Sequence, residues 1–390
     1  MILRTIFLMV VAMSQLAQAE QIRVATFNVS MDATNYVEDV NKITGNELFE
    51  LLASGEHQQI KNIAEIIQHI RPDIILLNEF DYISDDKKGV LAFTENYLAK
   101  SQSGNEPIEY LYYYTAPVNT GVDSGHDLNK DGVASGTKDD AFGFGFYPGQ
   151  YGMVLLSRFP IDTDSIRTFQ LFKWQDMPNN QLVGIVDEND KPWYSIAAQQ
   201  DLRLSSKSHW DIPVNVNGKT LHILASHPTP PVFDGPENRN GKRNHDEVRF
   251  WVDYISGKQQ GSYIYDDKGH TGGFMGQRFV VMGDLNSSMT EGDSHKQAIV
   301  DLLTHSKVNG DYIPKSEGGK IHTPNNPLSA THTAGWRMRA DYVLPSKSGI
   351  SIQGGEVFWP RQKEPLYRLI KNRSSSSDHR LVWLDMAIRK

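Results

Sequence analysis

Cysteine is absent from the 390 residues. That excludes disulfides and thiolate metal sites, so any bound metal must be held by oxygen and imidazole. An excess of positive charge is also absent: 47 acidic residues against 39 basic ones give a formal charge of −8. A chain of this balance does not hold polyanions by bulk electrostatics. A stoichiometric nucleic-acid binder is therefore disfavoured, while an enzyme meeting phosphates through a local site is not. Beyond residue 19 no stretch approaches the roughly 18 apolar residues needed to span a bilayer. Internal repeats and low-complexity linkers are missing as well.

The N-terminus supplies the first positive signal. Arg4 is a short basic region, residues 6–12 are a compact apolar stretch, and Ala17-Gln18-Ala19 has the form of a cleavage site. The alternative is a buried N-terminal helix. The expectation is a signal peptide over 1–19, cleaved near Ala19, and a secreted or periplasmic product. Residues 20–390 are expected to form one domain, with insertions near 31–56, 101–148 and 229–275.

Apolar periodicity outlines the elements. Residues 21–29 are expected as a strand ending at Asn28. Ile60, Ile63, Ala64, Ile67 and Ile70 have helical spacing, and Pro72 stops that helix. The run 74–77 predicts a buried strand closed by Glu79, and 151–157 another. Residues 121–140 are a loop, and 171–193 a hairpin or insertion. Asn217-Gly218 between two alternating runs predicts a two-residue hairpin. A long polar loop is expected from His227 through Asn244, then a helix over 246–255 capped by Asn244 or His245. Strands over 279–282, 341–344 and 380–386 complete the reading. Scattered strands with few helices indicate an α+β sandwich of two packed sheets with helices outside.

Polar residues punctuate these strand ends. Hydrolysing a phosphodiester needs a cation on the phosphoryl oxygens, an activated water and a proton for the leaving oxygen. Glu79 fits a Mg²⁺ ligand, or it caps the following turn. Asp284 and Asn286 share a face if the backbone stays extended, and could then grip one water or phosphoryl oxygen; the alternative is an Asx-turn. His227 and His379, each beside a strand end, are either satisfied buried histidines or groups that stabilise phosphoryl charge and move protons. Asp341 could orient one of them.

Seven short segments occur in order: Thr26-Phe27-Asn28-Val29, Leu77-Asn78-Glu79-Phe80, Gly152 to Arg158, Ala225-Ser226-His227, Gly283-Asp284-Leu285-Asn286, Arg339-Ala340-Asp341-Tyr342 and Ser377-Asp378-His379. Together they resemble the endonuclease/exonuclease/phosphatase superfamily, which includes DNase I, apurinic endonucleases, neutral sphingomyelinases and inositol polyphosphate 5-phosphatases. The resemblance implies a four-layer α/β/β/α sandwich of two mixed sheets and a Mg²⁺- or Mn²⁺-dependent phosphoester hydrolase. It implies metal-site roles for Asn28, Glu79 and Asp378, with Glu79 the principal ligand. His227 would contact phosphoryl oxygens, Asp284 and Asn286 would orient the nucleophile or stabilise the transition state, and Asp341 would partner His379. The general base stays open between Asp284 and His379. Ser30 stands where some branches carry an acid, which weakens a two-metal site, and no acidic partner for His227 is evident.

Further candidates lie in the loops. Lys207 and Ser208 occupy a segment where branches differ in phosphate contacts. Arg239, Lys242, Arg243 and His245 form a basic cluster that could meet a phosphate or simply decorate a mobile loop. Asp127, Asn129 and Asp131 with Gly132 follow the first half of a calcium loop, but Lys138 replaces the usual bidentate Glu; Asp139 or Asp140 would have to substitute. A solvated acidic loop is the alternative to structural Ca²⁺. The expected substrate is extracellular DNA or RNA, with a lipid or small-molecule phosphoester as runner-up. Trp174 and Trp193-Tyr194 are candidates for a lipid-facing hairpin. A non-catalytic binding protein on the same fold is the competing class.

Overall fold

The computed structural model describes residues 20–389, so the expected signal peptide lies outside the described residues. The strands are β1 (Glu20–Met31), β2 (Ile74–Phe80), β3 (Tyr112–Tyr114), β4 (Met153–Ser157), β5 (Arg167–Thr168), β6 (His209–Val216), β7 (Lys219–Ser226), β8 (Phe279–Asp284), β9 (Asp341–Pro345), β10 (Ile350–Val357) and β11 (Val382–Ile388). The helices are α1 (Glu47–Ser54), α2 (Gln58–Ile70), α3 (Val90–Phe93), α4 (Ile196–Asp201), α5 (Arg239–Ser256), α6 (Lys296–Thr304) and α7 (Glu317–His322). One sheet has the order β10-β11-β1-β2-β4-β3 and the other β5-β6-β7-β8-β9. Both are mixed: β1 and β2 run parallel, as do β7 and β8, and the remaining neighbours are antiparallel.

Alternation decides what each face of the second sheet buries. Trp210, Ile212, Val214 and Val216 of β6 join Ile223, Val280, Met282 and Val343 in the core shared with the first sheet. Phe279, Val281 and Leu344, from the opposite phase, pack against Val248, Trp251, Tyr254 and Ile255 of α5 and Leu302 of α6. On the far side of the first sheet, α2 buries Ile60, Ile63, Ile66 and Ile67. Burying each such side chain contributes about 1.5–3 kcal/mol. The result is the expected sandwich of two mixed sheets with helices outside.

Local signals explain several boundaries. Arg71 closes α2 in the left-handed region, just before Pro72. Asn217 (φ 49°) and Gly218 (φ 83°) make the β6–β7 hairpin turn, as the Asn-Gly pair predicts.

Other expectations need refinement or correction. Within 171–193, expected as a hairpin or insertion, pairing is confined to a short antiparallel turn in which Val186 bridges Pro192, and the rest is 3-10 turns and irregular chain. Helix α5 begins at Arg239 behind Asn238, seven residues earlier than predicted. Its first two turns are polar because their side chains tie down loop carbonyls, so they show no apolar stripe to announce a helix.

Candidate active site

The two sheets bring their chemistry to one end of the sandwich. Asn28 and Asn78 are register partners near the ends of the parallel pair β1–β2, and Asp284 faces Asp341 across β8–β9. His227 follows β7, and Asp378-His379 precedes β11, whose Val382 pairs with Thr26. Three backbone features aim these groups. The β1–β2 register shifts between Asn28 and Met31, at a Ser30 with φ 48°. Glu79 itself adopts φ 56°, uncommon for a residue with a side chain. Gly283 (φ 141°) lets β8 approach β7 so closely that a Cβ there would lie 2.0 Å from the Ser226 carbonyl oxygen.

Asp284 is the hub. Its Oδ2 accepts from Asn28 Nδ2 at 3.1 Å and lies 3.4 Å from His227 Nε2 and 3.6 Å from His379 Nε2. Its backbone N–H donates to Asn78 Oδ1 at 3.1 Å. Asp284 also answers the question of an acidic partner for His227. Behind His379, Asp341 Oδ2 lies 2.9 Å from Nδ1 and also accepts from Thr333 Oγ1 at 2.7 Å. Trp336, half exposed, meets the His379 ring edge-on at 5.7 Å.

The charges follow from these neighbours. Burial opposes charge on His379, but Asp341 and Asp284 push its pKa up to about 10. Burial alone would raise Asp284; His379, His227 and Asn28 together hold it well below the usual carboxylate range. Burial and the Lys207 ammonium push His227 down to about 4, and neither of its ring nitrogens has a hydrogen-bond partner. At neutral pH the site therefore holds an imidazolium, a carboxylate and a neutral imidazole.

Beside this group lies an acidic pocket wall. Burial and the Asp32 carboxylate push Glu79 up to about 7, against the pull of His379 and Asn28. Asp378 accepts from Ser30 Oγ at 3.2 Å, and Arg373 lies 3.9 Å from Glu79 and 3.6 Å from Asp378. A buried carboxylate crowded by others fits a divalent cation, and oxygen donors suit Mg²⁺ or Mn²⁺. Asp284, Asp341 and His379 also place one donor atom each within 4.8 Å of one another. There Asp341 and Asp284 face imidazole nitrogens of His379 and His227.

The remaining expectations divide. Asp284 and Asn286 do not share an extended face: Asn286 has φ 51°, its N–H donates to Asp284 Oδ1 at 3.0 Å, and its amide donates to the Pro228 carbonyl at 3.2 Å. This is the Asx-turn alternative. Lys207 is buried and feels the charges of Glu247, Glu79 and Asp284, whereas Ser208 makes only a 3.4 Å contact to the neighbouring His209 carbonyl.

Arg243 is not placed as a free phosphate ligand, because it donates to the carbonyls of Leu204, Phe142 and Arg203 at 2.6–2.9 Å. Arg239 pairs with Glu237, Lys242 donates to the carbonyls of Gly184 and Glu237, and His245 meets Asp246. The basic cluster is thus spent internally on α5.

In the expected calcium loop Asp127 Oδ1 is buried without a hydrogen-bond partner, while the other acceptors are engaged by the loop's own backbone. Asp127, Asn129 and Asp131 accept the N–H groups of Gly132, Asp131 and Val133, and Asp140 takes those of Leu128, Asn129 and Ser135. Trp174 is buried and donates to Asp246 at 2.6 Å, and Trp193 donates to the Leu128 carbonyl at 2.9 Å, so neither belongs to an exposed hairpin.

Sequence reasoning passed over Asp32, Asp81 and Arg373. Asp32 lies four residues beyond Asn28, on the same strand exit, which was the available signal. Asp81, two residues past Glu79, accepts from Ala33 and Tyr151 N–H groups at 3.0 and 2.9 Å. Arg373 carries no motif; only folding brings it to Glu79.

Two mixed sheets packed face to face, with acids and imidazoles gathered at one end, define the DNase I-like α+β fold. The chain belongs to the endonuclease/exonuclease/phosphatase family, whose model matches residues 25–379. Among solved structures it is similar to an endonuclease/exonuclease/phosphatase from Beutenbergia cavernae, at 16% identity and a TM-score of 0.51, covering 95% of this chain and 72% of that one. It is also similar to the human Nocturnin catalytic domain with bound sulfate (16% identity, TM-score 0.45, 94% of each chain covered). A third likeness is to Staphylococcus aureus beta toxin with bound magnesium ions (13% identity, TM-score 0.43, 95% of this chain and all of that one). No curated protein matches the sequence. Members of the family are generally phosphoester hydrolases. Among the described residues, no helix is long and apolar enough to cross a membrane.

Proposed function

We propose that this protein is an exported, divalent-metal-dependent phosphodiesterase. The observation that carries the reading is the sharing of one carboxylate, Asp284, by two imidazoles at 3.4 and 3.6 Å, beside the oxygen-rich wall at Glu79. Asn28, Glu79 and Asp378 are the residues that would hold the metal. A bound cation would neutralise charge developing on the phosphoryl oxygens.

The chain's own groups do the rest. Asp284 is ionised and orients the attacking water through Oδ2. His379, kept protonated by Asp341, presents Nε2–H to the phosphoryl group. His227 stays neutral and offers a hydrogen bond without adding charge. Lys207, whose pKa burial pulls down against the charges of Glu247, Glu79 and Asp284, adds positive potential when protonated. These assignments favour Asp284 over His379 as the group that receives the water's proton, with the two titrating as a coupled pair.

Nucleic acid is the first substrate to test, since the half-exposed Trp336 beside His379 offers a face on which a base can stack. A second reading, a lipid phosphodiester, draws on Phe233, 90% exposed on the loop that follows His227. Plasmid and single-stranded DNA cleavage should be assayed with Mg²⁺ and with EDTA, beside His379→Ala. Metal-dependent cutting lost by about 10²-fold or more in the variant supports the nuclease reading. No cutting, but metal-dependent hydrolysis of sphingomyelin vesicles or bis-p-nitrophenyl phosphate, moves the substrate to lipids or small molecules. Silence on all of them would sink the enzyme reading.

A further inference from the structure

Arg373 is a cation in the middle of the acid-rich wall. Its Nη2 lies 3.9 Å from Glu79 Oε2 and its Nη1 3.6 Å from Asp378 Oδ2. Both separations exceed a hydrogen bond, so the guanidinium sits over the two carboxylates without locking onto either. Its Nε donates to Asn35 Oδ1 at 3.0 Å, which fixes the base of the fork and leaves the two Nη groups toward the site. The side chain remains 49% exposed, against 17% for Glu79. Next to it, Asn372 Oδ1 accepts from Ser374 Oγ and from Ser375 N and Oγ, which shapes the loop leading to Asp378.

Two facts about this placement pull together. Glu79 and Asp378 are the carboxylates that suit a divalent cation, and here a guanidinium neutralises both. A guanidinium is also the side chain whose fork of N–H donors matches a phosphate. With the α5 arginines and lysine committed to carbonyls and Glu237, Arg373 is a solvent-reaching cation at this wall.

We propose that Arg373 stands in for the divalent cation between Glu79 and Asp378, and that it turns to the substrate's phosphate once a metal takes its place. The inference rests on the metal-dependent reading given above. It has a signature that a merely structural arginine would not have, because metal and phosphate respond with opposite sign. Removing the charge relieves repulsion of the metal and deprives the phosphate of a partner.

The test is calorimetric titration of Mn²⁺ alone into the wild-type protein, Arg373→Gln and Arg373→Lys, followed by inorganic phosphate into each Mn²⁺-loaded form. The half-exposed position makes all three expected to fold. Arg373→Gln should bind Mn²⁺ about tenfold more tightly and phosphate about tenfold more weakly, the scale of one partly screened charge at this distance. Arg373→Lys should keep wild-type Mn²⁺ affinity within about twofold, since the charge remains, and lose part of the phosphate affinity with the fork. Unchanged or weaker Mn²⁺ binding by Arg373→Gln would overturn the stand-in role, and unchanged phosphate affinity would overturn the contact. A wild-type protein that binds no Mn²⁺ would overturn the metal-dependent reading beneath both.

Discussion

His379 owes its charge to a neighbour 38 residues away in sequence. Asp341 lies 2.9 Å from its Nδ1, and with Asp284 it pushes the imidazole up to about 10 although the ring is buried. The group stays protonated below that value and loses its charge as pH rises through it. If Nε2–H is needed at the phosphoryl group, activity should persist into the alkaline range and fall near pH 10. Asp341→Asn keeps the shape and removes the charge, so the ring should return toward its ordinary value near 6.5. The expected outcome is an alkaline limb displaced downward by about two to three pH units, with a loss of about 10²–10⁴ in kcat. A pH–rate profile of the variant on bis-p-nitrophenyl phosphate reads both. An unmoved alkaline limb would mean that His379 is not the group whose proton matters.

One face of α5 holds the site's loops in place. Asn244, Glu247 and Trp251, spaced by three and four residues, line the same side of the helix. Glu247 accepts the N–H groups of Ser206 and Thr229, each at 2.6 Å, flanking Lys207 on one loop and His227 on the other. Asn244 donates to the Thr229 and Leu285 carbonyls at 2.9 and 3.0 Å, and Trp251 donates to Ser226 Oγ at 2.8 Å. A buried carboxylate that takes two amides cannot be replaced by an amide without leaving one donor short. Glu247→Gln is therefore expected to cost about 1–3 kcal/mol of stability. Denaturant unfolding measures that cost. Metal-dependent turnover in the same variant should fall as the two loops loosen, while a surface change such as Lys258→Gln should move neither.

Acid sensitivity is set by the molecule as a whole. Burial holds His209, like His227, down to about 4, with Nδ1 against Ser205 Oγ at 2.6 Å and Nε2 against the Glu247 carbonyl at 2.9 Å. The unfolded chain protonates these rings near 6.5 while the folded chain does not. The stability they contribute is thus complete above about 6.5 and is lost as pH falls through 4, at about 1.4 kcal/mol per pH unit for each ring. His379 does not add to this slope, because below 6.5 it is protonated in both states. His209→Gln should flatten the decline between pH 6.5 and 4 by up to about 1.4 kcal/mol per pH unit. Urea midpoints across that range test it, and an unchanged slope would place the acid sensitivity elsewhere.

Eight of the eleven strands and the β6–β7 hairpin are legible in the sequence, because apolar runs and the Asn217-Gly218 pair act over a few residues, whereas β3, β5 and β10 carry no such run. The sequence also marked where the polar side chains leave the strands, at Asn28, Glu79, His227, Asp284, Asp341 and His379, and their order carried the family. It misplaced the start of α5, because helix turns whose polar side chains are consumed by distant carbonyls look like loop. The same blindness made Arg243 look available. Folding alone places Asp284 against both histidines, sets Asn286 in the left-handed region with its amide on the Pro228 carbonyl, and brings Arg373 to the acids at Glu79. Those outcomes depend on how strands from opposite ends of the chain pack and on the charges that packing brings within a few ångströms. No local pattern records such distances.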